Sequence, residues 1–77
     1  MDIRKKFGRR VRAARLAKGQ SQEELAHDAD SNRTYISDVE RGTRNPSIEV
    51  VERIAAALEV TMGALLDGDD NEECGKV

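Results

Sequence analysis

Aromatic residues, cysteine and proline are almost absent from this chain of 77 residues, which contains one Phe, one Tyr, one Cys, one Pro and no Trp. Proteins that bind single-stranded nucleic acid stack bases on several aromatic side chains, so this composition excludes that mode of binding. A single cysteine excludes an intramolecular disulfide framework and a cysteine-rich zinc site. No uncharged apolar run is long enough to span a bilayer, and no signal peptide opens the chain, so we expect a soluble cytoplasmic protein.

The short length allows one small domain, with no room for a second, ligand-sensing domain. We therefore expect no small-molecule ligand. Folding of so short a chain buries only about 60–65% of the surface that the unfolded chain exposes, so a monomer would be marginally stable.

Charge is distributed unevenly along the chain. The first 46 residues hold 11 basic and 7 acidic side chains, whereas the remaining 31 residues hold 2 and 8. A positive half beside a negative half indicates a polyanionic partner at one end only. An ordinary solvated surface with uneven charge is the alternative explanation.

Apolar spacing and capping residues predict five short helices followed by an acidic tail. Gly19 and Gly42 are suited to end helices 1 and 3, and Ser21 with Glu24 forms a capping-box pattern. We predict a folded domain of residues 1–66 and a disordered acidic tail of residues 67–77. The predicted N-caps are Ser21, Asn32, Ser47 and Thr61. The residues predicted to face inward are Ile3, Phe7, Val11 and Ala14 in helix 1; Leu25, Ala26 and Ala29 in helix 2; and Ile48, Val51, Ile54, Ala55 and Leu58 in helix 4.

Two short helices joined by a tight turn within such a set are typical of a helix-turn-helix domain. Over about residues 7–66 the chain resembles the Cro/C1-type helix-turn-helix family, and within it the controller proteins of restriction–modification systems. The resemblance implies an all-α, compact, five-helix, lambda-repressor-like domain. It also implies a transcriptional regulator that binds palindromic operators as a dimer. The segments that carry the resemblance are QSQEELA from Gln20, RTYISDVERG from Arg33, NPSI from Asn45 and IAAALEV from Ile54.

Three positions depart from the family pattern. Asp30 stands in the turn where the family usually has Gly, and Ser31 and Gln20 stand where it prefers apolar residues. Asp tolerates a left-handed backbone conformation at some cost relative to Gly. We therefore predict that the turn region is less stable than it would be with the residues of the family pattern.

Helix 3 has one polar face and one apolar face when residues are placed at about 100° intervals. The polar arc presents a guanidinium and small hydroxyls near the helix N-terminus, where recognition helices meet base edges. A solvated helix face is the alternative. Asp38, on the same arc, either accepts a hydrogen bond from cytosine or faces away from DNA. The predicted base-contacting residues are Arg33, Thr34 and Ser37.

Four further residues are predicted to bind DNA phosphates. Gln22 lies at the positive end of helix 2, and the Tyr35 ring can pack while its hydroxyl reaches a phosphate. Arg44 and Asn45 follow helix 3, although a plain polar loop would have the same composition. The basic residues of helix 1, from Arg4 to Arg12, either add non-specific attraction to phosphate or form a solvated face.

Two sets of residues have predicted structural roles. The resemblance implies that Arg15 and Glu40 form a buried ion pair that supports the fold, and direct contact with DNA is the alternative. Helix 5 carries the apolar residues from which we predict a homodimer interface, with Leu65 partly needed for the core. The predicted interface residues are Met62, Leu65 and Leu66.

The predicted function is sequence-specific binding of double-stranded DNA. His27 has no partner at metal-ligand spacing, and no nucleophile–base pair or phosphate loop is visible, so we expect no metal, no cofactor and no catalysis. The alternative is an antitoxin-like or phage-repressor-like protein whose main partner is another protein.

Overall fold

Five α-helices form where the sequence combines apolar spacing with capping residues. The computed structural model describes residues 2–66, and the predicted acidic tail, residues 67–77, lies outside them. Within residues 2–66 the structure contains no strand. The all-α, five-helix prediction is confirmed. The helices are α1 (Ile3–Lys18), α2 (Gln22–Asp28), α3 (Arg33–Arg41), α4 (Ile48–Leu58) and α5 (Met62–Leu66).

Short-range hydrogen bonds set the helix ends. The Ser21 hydroxyl accepts from the Glu24 backbone N–H at 3.0 Å, and the Glu24 carboxylate accepts from the Ser21 N–H at 2.9 Å, which completes the predicted capping box. Gly19 and Gly42 end α1 and α3 with φ angles of 78° and 80°. The predicted caps are therefore confirmed, and Asp2 adds a cap to α1 that the sequence pattern did not predict. The other confirmed N-caps are Asn32, Ser47 and Thr61.

The core lies between α1, α2 and α3, where α3 packs against the other two helices. Helix α4 also packs against α1 and α2, and α5 packs against α1 and α4. Gly8 allows the closest approach, because a Cβ atom there would lie 2.2 Å from the Val39 carbonyl oxygen in α3. The core residues are Phe7, Val11, Leu25, Ala26, Ala29, Ile36, Val39, Val51, Ile54, Ala55, Leu58 and Leu65.

Two residues predicted to face inward are exposed instead. Ile3 is 55% exposed and Ile48 is 68% exposed, so their assignment to the core is wrong. Each is the first residue of its helix. Because helical side chains lean toward the helix N-terminus, a side chain at the first position projects past the end of the element. The helical period gives the direction of a side chain but not whether another element covers it.

Three basic side chains bind backbone carbonyls at the ends of other helices. The last carbonyls of a helix have no partner within it and carry partial negative charge, so a cation bound there stabilises the end. Arg10 is one of the helix 1 residues for which attraction to phosphate was one of two explanations, and in the structure it binds carbonyls at the end of α5. The pairs are Arg10 with Leu65 and Leu66, Lys18 with Ala57, and Arg53 with Ala29.

The turn between α2 and α3 contains Asp30, at the position where the family usually has glycine. Asp30 has a φ of 58°, in the left-handed region. The backbone N–H of Ser31 donates to the Ala26 carbonyl at 2.7 Å, which closes the turn. The turn thus takes the shape that glycine usually provides, at the steric cost of a Cβ atom.

Candidate nucleic-acid interface

The exposed side of α3 carries the residues predicted to contact bases. Asn32 caps the helix, and Arg33 and Thr34 in its first turn are both exposed. Ile36 and Val39 face the opposite way and are buried in the core. The core contact therefore fixes the orientation of α3 and presents its N-terminal turn to solvent.

Ser37 lies one turn further along α3 and is half-buried. Its hydroxyl accepts a hydrogen bond from Arg41 Nη1 at 3.1 Å. The Ser37 hydroxyl is thus already engaged by an arginine of the same helix, whereas Arg33 and Thr34 stand at the exposed first turn.

Asp38 binds two arginines with separate carboxylate oxygens. Its Oδ1 accepts from Arg41 Nη2, and its Oδ2 accepts from Arg44 Nε at 3.4 Å. The Asp38 side chain is 19% exposed. Arg41 had no predicted role, although a spacing of three residues between Asp38 and Arg41 on a helix indicates such a pair.

Tyr35 and Arg44 lie against each other. The guanidinium carbon of Arg44 is 5.0 Å from the centre of the Tyr35 ring, a cation–π distance. Tyr35 is half-buried against the core, while Arg44 and Asn45 are exposed in the loop after α3. The structure therefore brings Tyr35 and Arg44 into contact, and Asn45 follows Arg44 in the exposed loop, where it lines a groove with Ile3 and Pro46.

Arg15 and Glu40 form an ion pair whose side chains are only 9% and 4% exposed. Arg15 Nε donates to Glu40 Oε2 at 2.6 Å and Nη2 donates to Oε1 at 3.1 Å. Arg15 Nη1 also donates to the Gln20 carbonyl at 2.8 Å. Gln22 Nε2 donates to Glu40 Oε1 at 3.1 Å. The pair thus joins α1, α2 and α3, and the amide predicted to bind phosphate is held by Glu40.

The residues predicted for a dimer interface separate into two groups. Leu65 is 2% exposed and fills the core between α5 and its neighbours. This burial agrees with the expectation that Leu65 is needed for the core, and it leaves Met62 and Leu66 as the main residues of the predicted interface. Met62 and Leu66 are half-buried at the edge of the core. A small apolar groove beside Leu66 is also lined by Ile3 and Pro46.

Residues 2–66 contain neither a metal-binding cluster nor a helix able to cross a membrane. Residues 2–66 hold no group of three His, Cys, Asp or Glu side chains placed to bind a metal ion. Over the same residues, none of the helices combines the length and apolarity required to cross a bilayer.

Comparison with known proteins relates this geometry to a family. The model of the family described as "Helix-turn-helix" matches residues 11–65. The control protein C.BamHI of Bacillus amyloliquefaciens is 54% identical over 67 residues, which cover 86% of this chain and 83% of that protein.

Two solved structures have the same architecture. The restriction–modification controller protein C.AhdI from Aeromonas hydrophila superposes with a TM-score of 0.79 and 44% identity, over 80% of this chain and 94% of that one. The C.Esp1396I controller tetramer, solved in complex with its natural 35 base-pair operator, gives a TM-score of 0.78 and 36% identity, over 87% and 88% of the two chains.

Proposed function

This chain belongs to the helix-turn-helix family, and we propose that it is a sequence-specific DNA-binding transcriptional regulator of the restriction–modification controller type. The observation that carries the proposal is the capped helix α3, whose buried side fixes it in the fold and whose exposed first turn presents Arg33 and Thr34. The similarity to C.AhdI and to the operator-bound C.Esp1396I supports the same function. This function places the protein in the cytoplasm, where bacterial DNA lies, and assigns it no catalytic activity.

Base recognition is assigned to the N-terminal turn of α3 in the major groove. Arg33 can donate two hydrogen bonds to guanine, and the Thr34 methyl can contact the thymine methyl. Ser37, already bonded to Arg41, is assigned a secondary contact. The two main contacts to the bases are thus assigned to Arg33 and Thr34, whose side chains are exposed.

Phosphate binding is assigned to residues that flank α3. Arg44 lies on the Tyr35 ring in the loop beside Asn45, and Gln22 is oriented by Glu40 at the start of α2. Contacts of this kind fix the register of a protein on the duplex and carry no sequence information of their own. They predict a binding constant that falls with salt.

Titration of variants against DNA separates the two roles. A cognate duplex is selected from a random pool with the wild-type protein, and a scrambled duplex serves for comparison. Arg33→Ala is expected to cost about 1–3 kcal/mol on the cognate duplex and much less on the scrambled one. Arg44→Ala is expected to weaken both and to lower the salt slope by about one unit.

Arg12→Ala is the comparison variant, because it removes the same charge from an exposed position on α1, and it is expected to lower both affinities slightly and by the same factor. Equal losses on both duplexes for Arg33→Ala would contradict its role in base recognition. If the wild-type protein selects no duplex and binds none in a salt-dependent way, the DNA-binding function is wrong and a protein partner takes its place.

We also propose that the protein acts as a homodimer through α5. Met62 and Leu66 remain half-buried at the protomer surface, and the apolar groove beside Leu66 extends this surface. A two-fold dimer places two recognition helices about 34 Å apart, which matches a palindromic operator.

Sedimentation equilibrium tests the dimer. Leu66→Asp is expected to give a monomer at concentrations where the wild type is a dimer. Leu16→Asp is the control, because Leu16 is an exposed leucine on α1. A wild-type monomer at high micromolar concentration, even with operator DNA, would contradict the proposal.

A further inference from the structure

A carboxylate on the exposed arc of a recognition helix is unexpected, because it repels DNA phosphates. Asp38 occupies such a place, yet its side chain is only 19% exposed. Both of its oxygens accept from arginines, Oδ1 from Arg41 and Oδ2 from Arg44. The carboxylate is therefore turned toward two cations of its own chain, which reduces its exposure to the DNA.

Asp38 also holds the loop that carries Arg44. Its backbone carbonyl accepts from the Thr43 N–H at 3.0 Å and from the Thr43 hydroxyl at 3.1 Å. Gly42 ends α3 between these residues with a left-handed φ of 80°. The chain thus turns back over α3, and Arg44 arrives beside the Asp38 carboxylate.

Arg44 is restrained from two directions, by Asp38 Oδ2 at 3.4 Å and by the Tyr35 ring at 5.0 Å. Arg41 is restrained by Asp38 Oδ1 and by the Ser37 hydroxyl at 3.1 Å. An arginine that is already ordered loses less side-chain entropy when it binds a phosphate. The same carboxylate lowers the local positive charge, which weakens binding to DNA of any sequence.

We propose that Asp38 is a positioning residue that orders Arg41 and Arg44 in one arrangement, which meets phosphates only in the register that α3 takes on its operator, and thereby raises the discrimination between operator and non-specific DNA. It does so without contacting a base, and Arg41 joins Arg44 as a phosphate contact. This inference rests on the proposed DNA-binding function. It replaces the alternative in which Asp38 accepts a hydrogen bond from cytosine.

The first measurement is made on the free protein. Heteronuclear relaxation of the arginine Nε–H groups compares wild type with Asp38→Ala. The Nε–H groups of Arg41 and Arg44 are expected to be ordered in wild type and mobile in the variant, with Arg33 unchanged. If Arg41 and Arg44 are equally mobile in both proteins, Asp38 does not position them and the inference is wrong, whatever the protein binds.

The second measurement is a double-mutant cycle on DNA. Asp38→Ala is expected to lower the ratio of cognate to scrambled affinity by about two- to tenfold, the effect of ordering about one side chain. In the Arg41→Ala/Arg44→Ala background the same change is expected to alter the ratio by less than about twofold, since the partners are gone.

Glu52→Ala is the matched control, because it removes one carboxylate from an exposed position on α4. It is expected to raise both affinities slightly at low salt and to leave their ratio unchanged. An equal loss of discrimination by Asp38→Ala with and without the arginines would show direct base contact by Asp38 and overturn the inference. Failure of the wild type itself to discriminate would instead refute the proposed function, and the relaxation measurement would still decide the role of Asp38.

Discussion

Replacing Arg15 with alanine is expected to be among the most destabilising single changes in this protein. The substitution removes three hydrogen bonds, two to the Glu40 carboxylate and one to the Gln20 carbonyl. Among residues 2–66 it leaves Glu40, whose side chain is 4% exposed, with only the Gln22 amide as a side-chain partner. Removal of one member of a buried ion pair costs about 3–5 kcal/mol, mainly because the remaining charge stays desolvated.

That loss is large relative to the stability of a small domain. Folded proteins are stable by about 0.05–0.15 kcal/mol per residue, which for this length gives about 4–12 kcal/mol. Arg15→Ala therefore removes a quarter or more of the free energy of unfolding. At the lower end of the stability range, a loss of about 5 kcal/mol would leave the variant largely unfolded at 25 °C.

Urea denaturation followed by circular dichroism measures the effect, at one protein concentration because self-association raises apparent stability. The double variant Arg15→Met/Glu40→Leu is expected to recover most of the loss, since buried ion pairs replaced by apolar residues of similar size are often neutral or stabilising. Arg41→Ala, which breaks an exposed pair with Asp38, serves as the control and is expected to cost less than about 1 kcal/mol. A cost below about 1 kcal/mol for Arg15→Ala, or a double variant less stable than either single one, would refute the reasoning.

Three further changes test local features of the fold. Gly8→Ala is expected to lower the thermal midpoint, at a cost of about 1–3 kcal/mol, because its Cβ would lie 2.2 Å from the Val39 carbonyl oxygen; an unchanged midpoint would contradict this close approach. Asp30→Gly is expected to stabilise by about 1 kcal/mol in urea denaturation, because it relieves a left-handed φ of 58°, and a loss of stability would be the contrary result. The side chain and backbone N–H of Arg4 lower the pKa of Asp2, so its contribution to stability is present above the unfolded-state pKa and is lost as pH falls through the folded-state pKa. Melts across that range should show Asp2→Asn less stable than wild type at neutral pH and equal to it in acid, and a gap that persists in acid would contradict the assignment.

The sequence by itself determined the elements that depend on neighbours along the chain. The capping box of Ser21 and Glu24, the cap at Asn32 and the ends at Gly19 and Gly42 were all predicted, because each is made by atoms within about one helical turn. The same local periodicity separated the exposed arc of α3 from its buried arc. It therefore placed Arg33 and Thr34 on the surface before any tertiary contact was known.

Apart from the Arg15–Glu40 pair, which the family resemblance implied, only the tertiary structure decided which side chains meet across the fold. Hydrogen bonds from Gln22 to Glu40 and from Arg10 to the end of α5 join residues 18 and 55 or 56 positions apart, a distance at which no sequence period operates. Periodicity also could not show that Ile48 would be left uncovered, because it fixes the direction of a side chain and not the reach of the next element. Arg44, the second partner of Asp38, was settled in the same way, since only the turn at Gly42 brings it back to the carboxylate.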